Sequence, residues 1–371
     1  LLGVMSGLEE IFLGAEKGAA SSTLEKLLSV FDRGASDLHL AQDQPPYARI
    51  EGRLEALGDP LGKAEMEEVV SKLMGEDALA SLYASRAEVD RTAEVRRPDG
   101  TRLRLRLNLA LYQGRPFLVA RRLREVEGDP RGLGVPEEFL RLLEAPHGLV
   151  LVVGATGSGK STTLAHSLAY LLRNRPKRVI TIEDPIEYLI PPGRGLITQR
   201  EVGMDTESFA TALKAAMRED PDVIMVGEMR DAETALAALA AAETGHLVLT
   251  TLHARSITEA ADRLTGMFPP EAMPAVRYRF SRTFLGGLAQ TLPRDRNGRR
   301  VLAWEFLRVE NDEEREALLR PDGESVLRTL MAERGWRMAD VLARLVRSGR
   351  LAPEEALRHL NCPSEREALS F

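Results

Sequence analysis

Gly154, Ala155, Thr156, Gly157, Ser158, Gly159, Lys160 and Ser161 stand in the order G-x-x-x-x-G-K-S. An apolar run at residues 149–153 precedes them, and a helical stretch at residues 162–172 follows. This spacing turns successive backbone N–H groups towards one phosphate, and the helix start adds its partial positive charge. In that frame Lys160 reaches the β- and γ-phosphates of a nucleotide, the Ser161 hydroxyl ligates Mg²⁺, and Thr162 completes the cradle. The competing reading is a glycine-rich turn with no ligand. The strand before and the helix after favour the nucleotide, ATP.

Three further apolar runs end on polar groups. Residues 179–182 lead to Glu183 and Asp184, residues 223–226 to Gly227 and Glu228, and residues 247–251 to Leu252 and His253. In open parallel sheets ligands lie beyond the carboxyl ends of the strands, so these residues are expected beside the phosphate loop. The run at 223–226 has Gly227 where a Walker B strand usually has Asp, which leaves Glu228 as its acid. Ser161, Asp184 and Glu228 are the candidate metal-site residues. Glu183 and Glu228 share metal orientation and water activation in an order the residues leave open. Taken singly, each acid reads equally well as a helix cap or a surface ion pair; beside a phosphate loop they read as a site. His253, at a strand end, is placed to sense a γ-phosphate, whereas His246, at the strand start, reads as structural or interfacial.

These groups need a frame to hold them. Residues 1–21 read as a flexible N-terminal extension. Residues 22–124 read as a small α+β domain: Leu24, Leu27, Leu28 and Phe31 fall at helical spacing, and Leu38 and Leu40 alternate as in a strand. A hairpin is expected around Glu51 and Gly52, and a helical stretch at 61–83. Arg102, Arg104 and Arg106 alternate with Leu103, Leu105 and Leu107, a strand with one basic and one apolar face, and residues 117–123 are expected to pair with it. Gly128, Asp129, Pro130, Gly132, Gly134 and Pro136 mark residues 125–136 as a linker and hinge. Residues 137–371 then alternate apolar runs with helices, the pattern of a doubly covered parallel sheet, so the fold class is α/β. From about residue 274 helices are expected to dominate.

Composition narrows the function. The chain has 371 residues, 50 Lys plus Arg against 56 Asp plus Glu, and a formal net charge of −6. A dedicated nucleic-acid binder usually carries a basic balance, so no direct nucleic-acid partner is expected. One cysteine, Cys362, excludes a disulfide framework and a four-thiolate zinc site within the chain. No apolar run near the motifs approaches the ~20 residues of a membrane span, so any membrane association is expected to be peripheral.

Four segments together resemble one family. The phosphate loop, TIEDPIEY at 181–188, REDPDVIMVGEMRD at 218–231 and TGHLVLTTLH at 244–253 are similar to the Walker A, Asp box, Walker B and His box of the secretion ATPase superfamily. That superfamily includes the motors of type II secretion and type IV pili. ASDLHL at 35–40 and RLRLN at 104–108 extend the likeness upstream, so that it covers most of residues 22 to about 293. Within the superfamily the chain most resembles the type IV pilus retraction ATPases. The resemblance implies a PAS-like N-terminal domain, a RecA-like ATPase domain and a homo-hexamer. It implies that Arg104, Arg106 and Arg121 approach the nucleotide phosphates; without it they read as a solvated basic face. It makes Glu183 the water-activating base and Glu228 the Walker B acid, roles that could be exchanged. It places the protein in the cytoplasm, peripheral at the inner membrane, against a pilus platform protein. The charged stretch 308–337 has no residue-by-residue match.

Direction of action is read from absences. Assembly and type II secretion relatives generally carry a four-cysteine zinc site and a long extra N-terminal region. This chain has one cysteine, and some twenty residues precede its first expected helix, so retraction (twitching motility) is expected. The alternatives are a pilus-assembly or conjugation-type (type IV) secretion ATPase, a nucleic-acid translocase, and a nucleotide-gated structural subunit without turnover.

Overall fold

The computed structural model describes residues 10–12, 23–50, 52–96, 102–320, 322–360 and 365. Most of the expected N-terminal extension, Glu51 of the expected hairpin tip, and Cys362 lie outside the described residues. The chain divides into two compact units, Leu1–Arg124 and Glu125–Phe371.

The first unit is built on a seven-stranded sheet. Its strands are β1 (Glu10–Phe12), β2 (Ala35–Ala41), β3 (Tyr47–Ile50), β4 (Arg53–Ala56), β5 (Val89–Arg96), β6 (Arg102–Tyr112) and β7 (Arg115–Arg122). They lie in the order β1-β5-β6-β7-β2-β3-β4. Within the stretch expected to be flexible, β1 pairs in parallel with β5. The period-two alternation of β6 buries Leu103, Leu105, Leu107 and Leu109 completely or nearly so. These pack with Leu38 and Leu40 of β2 and with Met66, Val69, Val70 and Leu73 of the helix Lys63–Met74. The helical stretch expected at 61–83 is two helices, Lys63–Met74 and Asp77–Ser85, because Gly75 at φ 83° ends the first.

The second unit begins with β8 (Arg124–Glu125) at the junction. It continues through β9 (Gly148–Val153), β10 (Arg178–Glu183), β11 (Tyr188–Leu189), β12 (Leu196–Glu201), β13 (Val223–Val226), β14 (Leu247–Leu252), β15 (Phe284–Thr291) and β16 (Ala303–Arg308). Its main sheet has the order β12-β10-β13-β14-β9-β15-β16. All neighbours are parallel except β16, which runs antiparallel to β15. Every residue of β9, β13 and β14 is buried, the signature of a sheet covered on both faces. On one face, Leu149, Leu151, Ile182 and Val226 pack with the alanine-rich helix Ala232–Glu243. On the other, Val150, Val152 and Met225 pack with Leu164 and Leu168 of the helix Lys160–Asn174. The unit is an α/β fold.

Helices dominate after residue 274, as expected, but two strands the pattern does not announce lie among them: β15 and β16 belong to the main sheet, and β15 lies directly against β9. Their composition hides them. Gly286 and Gly287 interrupt the apolar pattern of β15, and both are needed for close approach to neighbouring backbone. A Cβ at Gly287 would come 2.5 Å from the Leu151 carbonyl oxygen and 2.6 Å from Ile257 Cδ1. The strand β12 also escapes sequence reading, since only Glu201 of its six residues is buried.

The charged stretch 308–337 includes the helices Asp312–Leu319 and Glu324–Glu333, and several of its charges pair within it. Glu314 is fully buried and meets Arg334 Nη2 at 2.6 Å, while the Arg334 guanidinium lies 5.1 Å from the Trp336 ring centre.

The contact of β15 with β9 is tested by Gly287→Ala. The substitution should lower stability in a urea melt by about 2–4 kcal/mol, since backbone and not a flexible side chain blocks the methyl. Gly132→Ala, where nothing lies within 4 Å, should change stability by less than about 0.5 kcal/mol.

Candidate functional site

The phosphate loop leaves β9 at Gly154 and enters the helix Lys160–Asn174 through Gly159, whose φ of +87° is left-handed. A Cβ on Gly154 would stand 2.5 Å from Ser158 Oγ, so only glycine lets the loop close. Lys160 Nζ donates to the carbonyl oxygens of Gly154 at 2.9 Å and Ala155 at 3.0 Å. Burial pulls its pKa below the usual lysine value, while the carboxylates of Glu228 and Glu187 act in the opposite direction.

Gln290 holds this loop from behind. It is buried in β15, accepts from Thr163 Oγ1 at 2.8 Å and donates to the Ser158 carbonyl at 2.6 Å. One amide thereby ties the loop to the first turn of its own helix. Sequence reading missed Gln290 because its strand was not recognised.

Glu183 ends β10 and is 8% exposed. Thr181, two residues earlier on the same strand face, donates to its Oε1 at 2.6 Å. Gln199, opposite Thr181 on β12, donates to the same oxygen at 3.1 Å and to the Tyr188 carbonyl at 2.8 Å. Burial pushes the Glu183 carboxyl up to about 7; the two hydrogen bonds oppose the rise, and Glu187 and Glu201 add to it.

Gly227 begins the turn after β13. A Cβ there would meet the Ile182 carbonyl oxygen at 3.3 Å and Glu183 Cα at 3.5 Å. The acid that follows on this strand is Glu228, one residue on. Thr251 Oγ1 donates to the Gly227 carbonyl at 2.7 Å, and Met229 N–H donates to the Thr251 carbonyl at 3.0 Å, so β14 staples this turn. Glu228 pairs with Arg230 through one carboxylate oxygen, and the other lies 3.7 Å from His253 Nε2. Arg230 belongs to the segment 218–231, whose sequence pattern does not by itself assign it a role.

One cavity of about 380 Å³ brings these groups together. Its lining includes Thr156, Gly157, Gly159, Lys160, Ser161, Thr162, Glu183, Asp184, Glu228 and His253, with Arg230 and Arg300 at its walls. Asp184 is exposed, unlike its neighbour Glu183. Among the described residues no cluster of His, Cys, Asp and Glu forms a metal cage. A hydroxyl and carboxylates beside a phosphate loop suit a Mg²⁺ that keeps waters and phosphate oxygens as its other ligands. His246 lies outside this group: its Nδ1 is 3.1 Å from the Ala241 carbonyl oxygen, at the end of a helix.

Arg104, Arg106 and Arg121 belong to the first unit. Arg106 and Arg121 stand opposite each other on β6 and β7. Arg121 Nε lies 2.6 Å from Asp37 Oδ1, and Arg106 lies 4.0 Å from Asp90. Arg106 and Arg121 thus face acids across the sheet, whereas the Nε of Arg104 is buried without a hydrogen-bond partner among the described residues.

Comparison with known proteins gives consistent likenesses. The family described as Type II/IV secretion system protein matches residues 19–342. A type IV pilus retraction ATPase, PilT, of Pseudomonas aeruginosa is 41% identical over 277 residues, which are 74% of this chain and 79% of that protein. A twitching motility protein of Neisseria gonorrhoeae is 38% identical over 332 residues, 88% of this chain and 86% of that one. The crystal structure of the pilus retraction motor PilT with bound ADP matches with a TM-score of 0.83 at 37% identity, over 93% of this chain and 99% of that chain.

The state of Glu183 has a measurable consequence. With its carboxyl raised from 4.5 to about 7, the folded chain holds a proton there that the unfolded chain has released. Stability is therefore lost as pH rises through that window. A urea-melt series from pH 5 to 8 should show wild-type stability falling by on the order of 2–3 kcal/mol more than that of Glu183→Gln. Parallel curves for the two proteins would contradict the assigned protonation.

Proposed function

Since the chain belongs to the type II/IV secretion system protein family, we propose that it is an ATP-hydrolysing motor that works as a homo-hexamer and retracts a type IV pilus. The observation that carries this reading is the convergence of Lys160, Ser161, Glu183, Glu228 and His253 on one cavity at the carboxyl ends of adjacent parallel strands. The likeness to a retraction motor over nearly the whole chain supports the direction. So does the single cysteine, which leaves no four-thiolate zinc site in the matched residues.

In this reading the amides of residues 154–161 hold the β-phosphate, and Lys160 exchanges its two loop carbonyls for β- and γ-phosphate oxygens. Ser161, with Asp184 and Glu228 nearby, would hold Mg²⁺, which would supply positive charge to the phosphates. Glu183 accepts a proton as a water oxygen bonds to the γ-phosphorus and the bond to the β–γ bridging oxygen breaks. His253, facing Glu228, registers whether the γ-phosphate is present. Arg104, Arg106 and Arg121 are assigned to phosphate charge by the family resemblance.

No helix among the described residues is long and apolar enough to cross a membrane. The likeness to pilus retraction ATPases supports a cytoplasmic motor held peripherally at the inner membrane through a platform protein.

Glu183 must be ionised to accept the proton. With its pKa at about 7, kcat/KM for ATP should rise about tenfold between pH 6 and pH 8. Glu183→Gln should abolish that rise and lower kcat by about 10²-fold or more, with ADP affinity changed only a few-fold. Lys160→Ala should remove turnover altogether. A flat pH profile together with an active Glu183→Gln would exclude Glu183 as the base.

Retraction is tested by deletion in the source organism. Deletion cells should keep surface pili, in excess, and lose twitching. Cells without surface pili would make this an assembly motor.

A further inference from the structure

Directly after His253 the chain passes through Ala254, Arg255, Ser256, Ile257 and Thr258 before the helix Ala260–Thr265. This loop is interior: Ser256 is 0%, Ile257 1% and Thr258 6% exposed. Buried hydroxyls and amides need partners. Thr258 N–H donates to Ser256 Oγ at 3.2 Å, and the two hydroxyls lie 2.7 Å apart. The rest comes from a distant strand. Glu305 on β16 accepts at one oxygen from Ser256 Oγ at 2.6 Å and from Ile257 N–H at 2.8 Å.

The setting of Glu305 is unusual. It is 1% exposed in a strand whose neighbours Ala303, Phe306 and Leu307 are fully buried. Packing of this sheet would be served as well by an apolar side chain, and a buried carboxyl is costly unless its hydrogen bonds are used. Here they are used on the His253 loop. Burial pushes the carboxyl up; the Ser256 and Ile257 donors and the Arg328 charge pull it down, and Glu365 adds to the rise. The loop is also joined to the C-terminal helices. Thr258 Oγ1 donates to Glu324 Oε1 at 3.1 Å, Arg328 Nε donates to the same oxygen at 2.8 Å, and Arg328 Nη1 meets Glu365 at 3.0 Å.

We propose that Glu305 is a positioning residue for His253: by holding Ser256 and Ile257 it fixes the loop that presents His253 to Glu228 in the nucleotide cavity. Through Thr258, Glu324 and Arg328 the same loop is tied to the helix Glu324–Glu333. The inference rests on the reading of the cavity as an ATPase site.

The test uses the full chain and phosphate release, and begins with wild type and Lys160→Ala. If wild type has no turnover, or Lys160→Ala retains it, the ATPase reading itself fails. Once that contrast is established, Glu305 is decided by two substitutions in two backgrounds. Glu305→Leu keeps the volume and removes the acceptor; kcat should fall about tenfold while the KM for ATP and the affinity for ADP stay within about twofold. Glu305→Gln keeps an acceptor oxygen and should stay within about twofold of wild type. In a His253→Ala background, Glu305→Leu should add less than about twofold, because its effect passes through His253. If Glu305→Leu does not fold, Ser256→Ala replaces it, with a fall of about threefold that also vanishes beside His253→Ala. An unchanged kcat in the Leu variant, or an equal fall in both His253 backgrounds, would overturn the proposal.

Discussion

Adjacent strands of a parallel sheet must stay in register, and in this chain that requirement builds the site. Ile182 pairs with Val226, Val226 with Thr250 and Leu252 with Val153. The carboxyl ends of β10, β13, β14 and β9 therefore finish within a residue or two of one another. At or just past each end stands a candidate site residue: Glu183 and Asp184, Gly227 and Glu228, His253, and the first glycine of the phosphate loop. Regular hydrogen bonding through the apolar interior of the sheet thus sets distances among polar groups at its rim. A slip of one residue in any of these pairings would turn a site residue to the opposite face.

What the ladder does not hold, buried amides and carboxylates do. Gln290 links β15 to the phosphate loop, Gln199 links β12 to Glu183, and Glu305 links β16 to the loop after His253. Gln290 and Glu305 are buried where an apolar residue would pack at lower cost, Gln199 is half-buried, and each meets its hydrogen-bonding need on a segment that borders the cavity. Rigidity at the site is obtained by satisfying buried polar groups across long stretches of chain. The desolvation that such burial brings also sets the chemistry, since it raises the Glu183 carboxyl to about 7.

The first unit follows a simpler rule. Alternation along β6 sends every leucine to the core and every arginine to the other face, and antiparallel pairing sets Arg106 beside Arg121. Asp37 on β2 then lies opposite Arg121 and is nearly buried. The hydrogen bonds from Ser36 and Arg121 outweigh its burial and hold its carboxyl below the usual value. On the basic strand of the sequence, Arg102 and Arg106 meet acids of the neighbouring strand β5 in the sheet.

The amino-acid sequence by itself determined the features whose causes are local. The phosphate loop, its strand and helix, the acids after two apolar runs, His253 and the alternating strand β6 were all legible, because period and turn chemistry act over a few residues. Family likeness followed from four such segments in order. Tertiary structure alone decided the places of β12, β15 and β16 in the sheets. It also decided the contacts of Gln199, Gln290 and Glu305. Thr163 and Gln290 are 127 positions apart and Ser256 and Glu305 are 49 apart. No window of sequence contains both partners, and a glutamine or glutamate in a strand shows its purpose only when the group it must satisfy is folded against it. The raised carboxyl of Glu183 has the same origin: desolvation belongs to the packed interior and is absent from the chain as written.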